Sequence, residues 1–314
     1  MKPTTLLPPH PNRRWTAARQ LGISTAVVRF WEVDRWWDYE TLVKTYNRFS
    51  DYGFSLDVVE DRPPMENTVL GKEGRDEEIA IVKQLLRNMG KIGIDTYCWV
   101  WTENPLGVLR TSDSIPLRGG SRTIGYDDSW MEQADDHPAS DISESELWSN
   151  LQYFLDEVVP VAEEAGVNLA LHPDDPPVSP IQGVPRLAIS VENYERILNM
   201  YESPNHGITF CQGNFAAMGA DVPETIRRFG DDIQFVHFRD IEGTADSFIE
   251  TWHDDGPTDM RAAMDAYQDI GYDGPIRPDH MPSMLNEDEM TDLPSDFPKL
   301  GRLFTIGYIR GLME

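Results

Sequence analysis

Short apolar runs typical of β-strands alternate with segments of helical periodicity along most of the chain. The segment 75–91 illustrates the helical pattern, because it places Ile79, Val82, Leu86 and Met89 on one face at the 3.6-residue period of a half-buried helix. The apolar runs predict eight strands, which cover residues 23–28, 54–60, 94–101, 167–172, 207–211, 233–238, 247–252 and 275–279. Alternation of the two patterns indicates an α/β protein.

Eight strands, each followed by a helix or a long connection, predict a closed (β/α)8 TIM barrel. An open doubly wound sheet is the alternative. No Gly-x-Gly-x-x-Gly motif follows the first predicted strand, which disfavours a dinucleotide-binding fold. Because no internal repeat or linker divides the sequence, we predict a single domain over residues 1–314, with a long polar loop at about residues 102–139.

Polar side chains stand where several predicted strands end, and in such barrels the carboxyl ends of the strands form the active-site face. These side chains are Glu60, His172, Cys211, His237, Glu250 and Asp279. Two imidazoles, one thiolate and one carboxylate from this group would make a compact ligand set for a divalent transition metal. Each residue alone is more often structural, so position alone leaves a metal site and ordinary buried polar residues equally open.

The charge of the chain is strongly acidic, with 54 Asp and Glu against 27 Lys and Arg and a net charge of −27. Arginine supplies most of the positive charge, which predicts adaptation to a salt-rich host in which self-repulsion is screened; an ordinary acidic enzyme is the alternative. The same charge disfavours nucleic acid as a partner. Without a signal peptide or an apolar run long enough to span a membrane, we expect a cytoplasmic protein, and a homo-oligomer is compatible with the sequence.

Five segments at the predicted barrel face are distinctive in their order and spacing. They are residues 172–177 (HPDDPP), 210–214 (FCQGN), 237–240 (HFRD), 250–256 (ETWHDDG) and 277–280 (RPDH). Together they resemble the D-mannonate dehydratase family, whose members are xylose-isomerase-like barrels. The similarity runs, with gaps, from about Arg14 to Gly311.

The resemblance implies a metal ion held by His172, Cys211, His237 and Asp279, which stand where the family has its His, Cys, His and Asp ligands. It implies that a sugar acid, D-mannonate, loses water to give 2-keto-3-deoxy-D-gluconate, a hydro-lyase reaction of hexuronate degradation. Manganese is the expected ion, with Fe2+, Co2+ and Ni2+ as alternatives, and a thiolate ligand disfavours magnesium. His280 matches the family's catalytic histidine and is expected to transfer a proton.

Three further residues are candidates for binding the substrate. Arg239 and Arg110 carry guanidinium groups, which suit two-point recognition of a carboxylate, and a structural ion pair is the alternative for both. Glu60 ends the second predicted strand, where it would contact either the substrate or a neighbouring group at the barrel face.

Two segments depart from the family. Its third strand ends in Tyr-Asn-Phe-Met-Pro, whereas residues 97–101 read YCWVW here. The loop after His280 lacks the tyrosine that is a proposed acid–base group in the family, and Asp296 is the candidate substitute. These departures leave open a metal-dependent sugar isomerase or epimerase, or a non-catalytic sugar-binding relative.

Overall fold

A computed structural model describes residues 1–31, 33–102, 108–284 and 299–314. The β-strands in these residues are β1 (Lys2–Leu7), β2 (Thr25–Val28), β3 (Ser55–Glu60), β4 (Thr96–Trp99), β5 (Ser112–Pro116), β6 (Arg122–Asp127), β7 (Asn168–Leu171), β8 (His206–Cys211), β9 (Ile233–Phe238), β10 (Ile241–Thr244), β11 (Ser247–Glu250) and β12 (Pro275–Pro278). The α-helices are α1 (Arg13–Gln20), α2 (Tyr39–Asp51), α3 (Glu66–Leu70), α4 (Arg75–Ile92), α5 (Asp128–Met131), α6 (Glu144–Ala165), α7 (Val191–Met200), α8 (Gln212–Ala217), α9 (Val222–Phe229), α10 (Met260–Asp269) and α11 (Leu300–Met313).

Eight of the strands close into a barrel in the order β1-β12-β9-β8-β7-β4-β3-β2, and every neighbouring pair is parallel. Parallel closure brings the carboxyl ends of all eight strands to one face. The barrel interior is filled by apolar side chains, among them the smaller Val27, Val58 and Ala170 and the large Phe235. The predicted single-domain (β/α)8 fold is confirmed.

Two strand predictions were wrong. One barrel strand was missed and one predicted strand lies outside the barrel, so the number of barrel strands is still eight. The N-terminal segment was not predicted as a strand, yet β1 pairs with both β2 and β12 and so closes the barrel. The predicted seventh strand, over residues 247–252, lies outside the barrel, because β11 pairs antiparallel with β10 and β6. Glu60 therefore ends the third barrel strand rather than the second.

A second, four-stranded antiparallel sheet has the order β10-β11-β6-β5. Two of its strands and α5 lie within residues 102–139, where the sequence predicts a long polar loop. Tyr126, Ile241 and Phe248 belong to its own small core. Isolated bridges from Val108 to Asp175 and from Arg122 to Ser283 tie this part of the chain to connections that follow β7 and β12. The second sheet therefore lies beside the carboxyl-terminal face of the barrel.

The helices pack around the barrel with their ends defined by local chemistry. Helix α6 begins at a capping box in which Ser143 and Glu146 satisfy each other's backbone N–H groups, and it ends at Gly166 in the left-handed conformation. Phe154 on this helix contacts the indole rings of Trp99 and Trp101, which joins the helix to the end of β4. None of the helices in the described residues is long and apolar enough to cross a membrane.

Helices α4 and α6 approach each other closely at Gly90. A β-carbon there would lie 2.3 Å from the carbonyl oxygen of Ala165. We expect Gly90→Ala to lower the free energy of unfolding by about 1–3 kcal/mol, because a backbone carbonyl cannot yield without shifting a helix. This cost should outweigh the helix propensity of alanine, which favours it over glycine by about 1 kcal/mol.

Chemical denaturation measures the effect of this substitution. Gly311→Ala on α11 is the matched control, since a β-carbon there meets nothing within 4 Å. The control should be neutral or stabilising, and equal effects of the two substitutions would contradict the packing argument.

Candidate metal centre

Four side chains with metal-binding atoms meet at the ends of four adjacent barrel strands. His172 directly follows β7, Cys211 ends β8, His237 is the penultimate residue of β9, and Asp279 directly follows β12. All four are buried, and one potential ligand atom from each lies within 4.8 Å of the others. The structure thus brings together the four residues that the sequence singled out as a ligand set.

Each histidine of this cluster directs one ring nitrogen inward and has a carbonyl or carboxylate oxygen near the other, in hydrogen-bond geometry for His172 and at ion-pair distance for His237. His172 Nδ1 lies 2.7 Å from the Pro173 carbonyl oxygen, and His237 Nε2 lies 3.3 Å from Glu60 Oε2. These acceptors favour a proton on the outer nitrogen of each ring. The inner nitrogens, His172 Nε2 and His237 Nδ1, then carry lone pairs, and they are 3.1 Å apart. Two lone-pair nitrogens, a sulfur and a carboxylate oxygen form a donor set that fits a divalent transition metal.

Three of the four donors have the protonation state that metal binding requires. Burial, with the neighbouring His237, lowers the pKa of His172 to about 4, and burial also lowers the pKa of His237. Burial would raise the pKa of Asp279, but neighbouring cationic groups hold it well below its usual value. Burial raises the pKa of the Cys211 thiol, so a cation that binds its sulfur must displace a proton.

A second group with potential ligand atoms consists of Glu60, Cys98 and His237. Its carboxylate is already occupied, because Arg277 donates to both oxygens of Glu60 at 2.7 Å. The sulfur of Cys98 accepts a hydrogen bond from Thr209 Oγ1 at 3.2 Å. The four-residue cluster is therefore the better candidate for a metal ion.

His280 stands beside the cluster even though consecutive strand residues face opposite sides. Strand β12 ends at Pro278, and His280 has a φ of 39°, in the left-handed region. This backbone conformation puts its Nε2 at 3.7 Å from Asp279 Oδ2. Burial lowers the pKa of His280, which favours the neutral imidazole. Its side chain is 20% exposed, against 2% for that of His237, so it is accessible from the cavity described below.

Arg110 and Arg239 both lie in a buried network with protein carboxylates. Arg239 Nη1 donates to Asp175 Oδ2 at 2.7 Å, and Arg110 Nη1 donates to Asp175 Oδ1 at 2.8 Å. Both guanidinium groups also contact Glu250 Oε1. The surroundings of the two arginines thus match the structural alternative, and binding of a substrate carboxylate by either remains a prediction.

Sequence reasoning missed Arg277, which holds the carboxylate of Asp279. Its Nη1 donates to Asp279 Oδ1 at 2.9 Å, while the rest of the guanidinium binds Glu60. Burial would raise the pKa of Glu60, but Arg277 and His237 hold it well below its usual value. The signal that could have found Arg277 is its spacing, because residues two apart on a strand share a face.

A cavity of about 480 Å³ opens onto the cluster. Its lining includes His280 and the candidate ligands His172, His237 and Asp279. Cys98, which replaces the family's asparagine, also lines it. Asp296, the candidate substitute for the family's tyrosine, lies outside the described residues. A cavity of this size admits a six-carbon sugar acid.

The closed barrel and the donor cluster at its carboxyl-terminal face define a xylose-isomerase-like TIM barrel with a potential transition-metal site. The D-mannonate dehydratase (UxuA) family model matches residues 16–139 and 137–314. The chain therefore belongs to the D-mannonate dehydratase family, and it is an enzyme of the hydro-lyase type.

Individual relatives agree with this assignment. Mannonate dehydratase 2 of Halalkalibacterium halodurans is 40% identical over 78% of this chain and 79% of the relative. The mannonate dehydratase of Oceanobacillus iheyensis is 34% identical over 88% of this chain and 86% of the relative. The crystal structure of mannonate dehydratase from Streptococcus suis serotype 2 superposes with a TM-score of 0.89 at 30% identity, covering 100% of this chain and 94% of that one. A D-psicose 3-epimerase from Clostridium cellulolyticum H10, with a TM-score of 0.63 at 13% identity over 100% of both chains, shares the fold alone.

We expect Cys211→Ala to weaken metal binding by about 100-fold or more, because loss of a direct donor should cost at least as much as loss of an outer hydrogen bond. Metal content after equilibration with Mn2+, measured by mass spectrometry, checks this. Cys98→Ala is the matched control, since it removes an equally buried thiol from the second group and should leave the metal bound. Loss of metal only from Cys98→Ala would place the ion in the second group.

Proposed function

We propose that this enzyme converts D-mannonate to 2-keto-3-deoxy-D-gluconate and water with the help of a divalent metal ion. The observation that carries the proposal is the cluster of His172, Cys211, His237 and Asp279, with His280 beside it. A cavity lined by His280 and by three of the four candidate ligands opens onto this cluster. Membership of the D-mannonate dehydratase family supports it.

Manganese is the proposed ion, with Fe2+, Co2+ and Ni2+ as alternatives. The mixed nitrogen, sulfur and oxygen donors suit these ions, whereas magnesium prefers oxygen ligands alone. When bound, the ion would supply Lewis-acid charge to substrate oxygens and so stabilise the negative charge that develops next to the carboxylate.

His280 is the proposed proton-transfer group. Its neutral imidazole can accept the C2 proton of the sugar acid, which breaks the C2–H bond and forms a carbon–carbon double bond as the C3–O bond breaks. The imidazolium can then return that proton to the departing C3 hydroxyl, which leaves as water. The remaining enol becomes the 2-keto product by ketonisation, so one group can serve as base and as acid.

Arg277 and Asp175 position the reacting groups. Arg277 binds Asp279 Oδ1, which leaves Oδ2 directed toward Cys211 at 3.9 Å. Asp175 Oδ2 lies 3.9 Å from His280 Nε2, a separation that attracts a protonated imidazole without fixing it by a hydrogen bond.

The first test is an assay of purified protein in molar potassium chloride with added Mn2+ and D-mannonate, in which 2-keto-3-deoxy-D-gluconate is followed. We expect product that stops forming when a chelator removes the metal and forms again when Mn2+ is restored. No product from folded, metal-loaded protein would overturn the proposal. An isomerised or epimerised sugar would support the isomerase or epimerase alternative, and ligand binding without turnover would support the sugar-binding one.

His280→Asn separates proton transfer from metal binding in the same assay. We expect kcat to fall by about 100-fold or more with the metal content unchanged, since proton-transfer groups contribute factors of roughly 100 to 10,000. His10→Asn, at an exposed position, is the matched control and should leave kcat unchanged. Full activity of His280→Asn would remove His280 from the mechanism.

The net charge of −27 supports adaptation to high salt. Exposed ion pairs such as Arg227 with Asp269 lose attraction in salt, but each contributes at most about 1 kcal/mol. Screening of the net repulsion acts on the whole surface, so we expect Tm to rise between about 0.1 and 1 M KCl, as the Debye length falls from about 10 to 3 Å. Calorimetry measures this, and a falling Tm would contradict salt adaptation.

A further inference from the structure

The connection between β2 and α2 forms part of the wall of the active-site cavity. In the closed barrel, three strands separate β2 from β8 in either direction, so this connection lies across the barrel from Cys211. Arg29 directly follows β2, Trp31 comes two residues later, and both line the cavity. The described function uses neither residue.

The arginines of the buried network are already paired with carboxylates of the protein, so they are poorly placed to bind an anionic substrate. Three of them face four carboxylates within hydrogen-bonding or ion-pairing distance. The arginines are Arg110, Arg239 and Arg277, and the carboxylates are Glu60, Asp175, Glu250 and Asp279. The carboxylate of a sugar acid that enters the cavity would therefore be bound more readily by a guanidinium group outside this network.

Arg29 differs from those three arginines. It is half-buried, and its guanidinium group makes no hydrogen bond or ion pair with any residue in the described part of the chain. Asp61 is close enough to interact electrostatically with Arg29. The Asp61 carboxylate, however, accepts hydrogen bonds from the backbone N–H groups of Phe30 at 2.7 Å and Arg62 at 2.8 Å. Arg62 also lines the cavity, but it has interactions of its own.

Trp31 adds an apolar surface to the same wall. Its side chain is 45% exposed, which is high for an indole, and its φ is 23°. A positive φ is strained for a bulky aromatic residue, and such strain tends to persist at ligand sites where the surroundings hold it in place. An exposed indole can pack against the C–H groups of a sugar chain.

We propose that Arg29 binds the carboxylate of the sugar acid and that Trp31 packs against its carbon chain. The inference rests on the proposed function only because it takes the substrate to be a sugar acid. It adds Arg29 as the residue that distinguishes a sugar acid from a neutral polyol. A guanidinium group binds a carboxylate through two parallel, charge-assisted hydrogen bonds. Loss of such a contact weakens binding by about 10- to 100-fold.

Titration calorimetry with a charged and a neutral probe tests the proposal on the metal-loaded enzyme. We expect Arg29→Ala to weaken D-gluconate binding by about 10- to 100-fold and to leave D-glucitol binding unchanged. Arg29→Lys, which keeps the charge, should retain part of the D-gluconate affinity and serves if the alanine variant fails to fold. Trp31→Ala should weaken binding of both probes alike.

Arg35→Ala is the matched control, because Arg35 lies in the same connection but pairs with Asp38 at the surface, outside the cavity lining. It should leave binding of both probes unchanged. Unchanged D-gluconate binding in Arg29→Ala, or equal loss for both probes, would overturn the carboxylate assignment.

Turnover of D-mannonate, measured in parallel, separates this inference from the proposed function. Turnover with a KM that does not depend on Arg29 would overturn the inference and leave the function standing. Arg29-dependent binding of D-gluconate without D-mannonate turnover would overturn the function and leave the carboxylate site standing.

Discussion

The carboxylate of Asp279 is the group on which the candidate site depends, because its two oxygens face different partners. Oδ1 accepts a hydrogen bond from Arg277, which is itself held by Glu60. Oδ2 faces the donor cluster, at 3.6 Å from His237 Nδ1 and 3.7 Å from His280 Nε2. Oδ1 is therefore held by a hydrogen bond, while Oδ2 faces the cluster and has a longer contact, of 3.6 Å, with Arg239 Nη1. The same carboxylate thus links the candidate metal ligands to the proposed proton-transfer group.

The buried charges around Asp279 are better understood as a device for position than as a source of stability. Removing an ion from water costs several kcal/mol even in a real protein, and well-packed apolar residues often replace a buried ion pair without loss of stability. Removal of one partner is different, because it leaves an unpaired buried charge at a cost of about 3–5 kcal/mol. The network therefore tolerates little change, and Arg239 and Asp175 at its centre have fixed positions relative to the cavity.

The sequence predicted the barrel because eight apolar runs separated by helical segments have few other arrangements, but two strands were misassigned. Pro3 lies within β1, and proline is uncommon inside strands, so the pattern there was weak. Strand β11 alternates like any half-exposed strand, and its pairing with β10 and β6, which the sequence pattern does not reveal, places it outside the barrel. Convergence of the candidate ligands was predictable, since parallel strands end on one face. The contact of Arg277 with Asp279 was foreseeable from their spacing, whereas its pairing with Glu60, 217 residues away in the chain, was not.

The closure of the barrel has a consequence for the order in which the protein matures. Strand β12 pairs with β1 between Lys2 and Pro275, so the barrel stays open until residues 275–278 have been synthesised. Asp279 directly follows β12, whereas the other three donors belong to earlier strands. Contacts between such distant segments cost loop-closure entropy, which slows folding. The fourth donor therefore joins the cluster only with the strand that closes the barrel, and binding of a metal ion by all four donors would require a closed barrel.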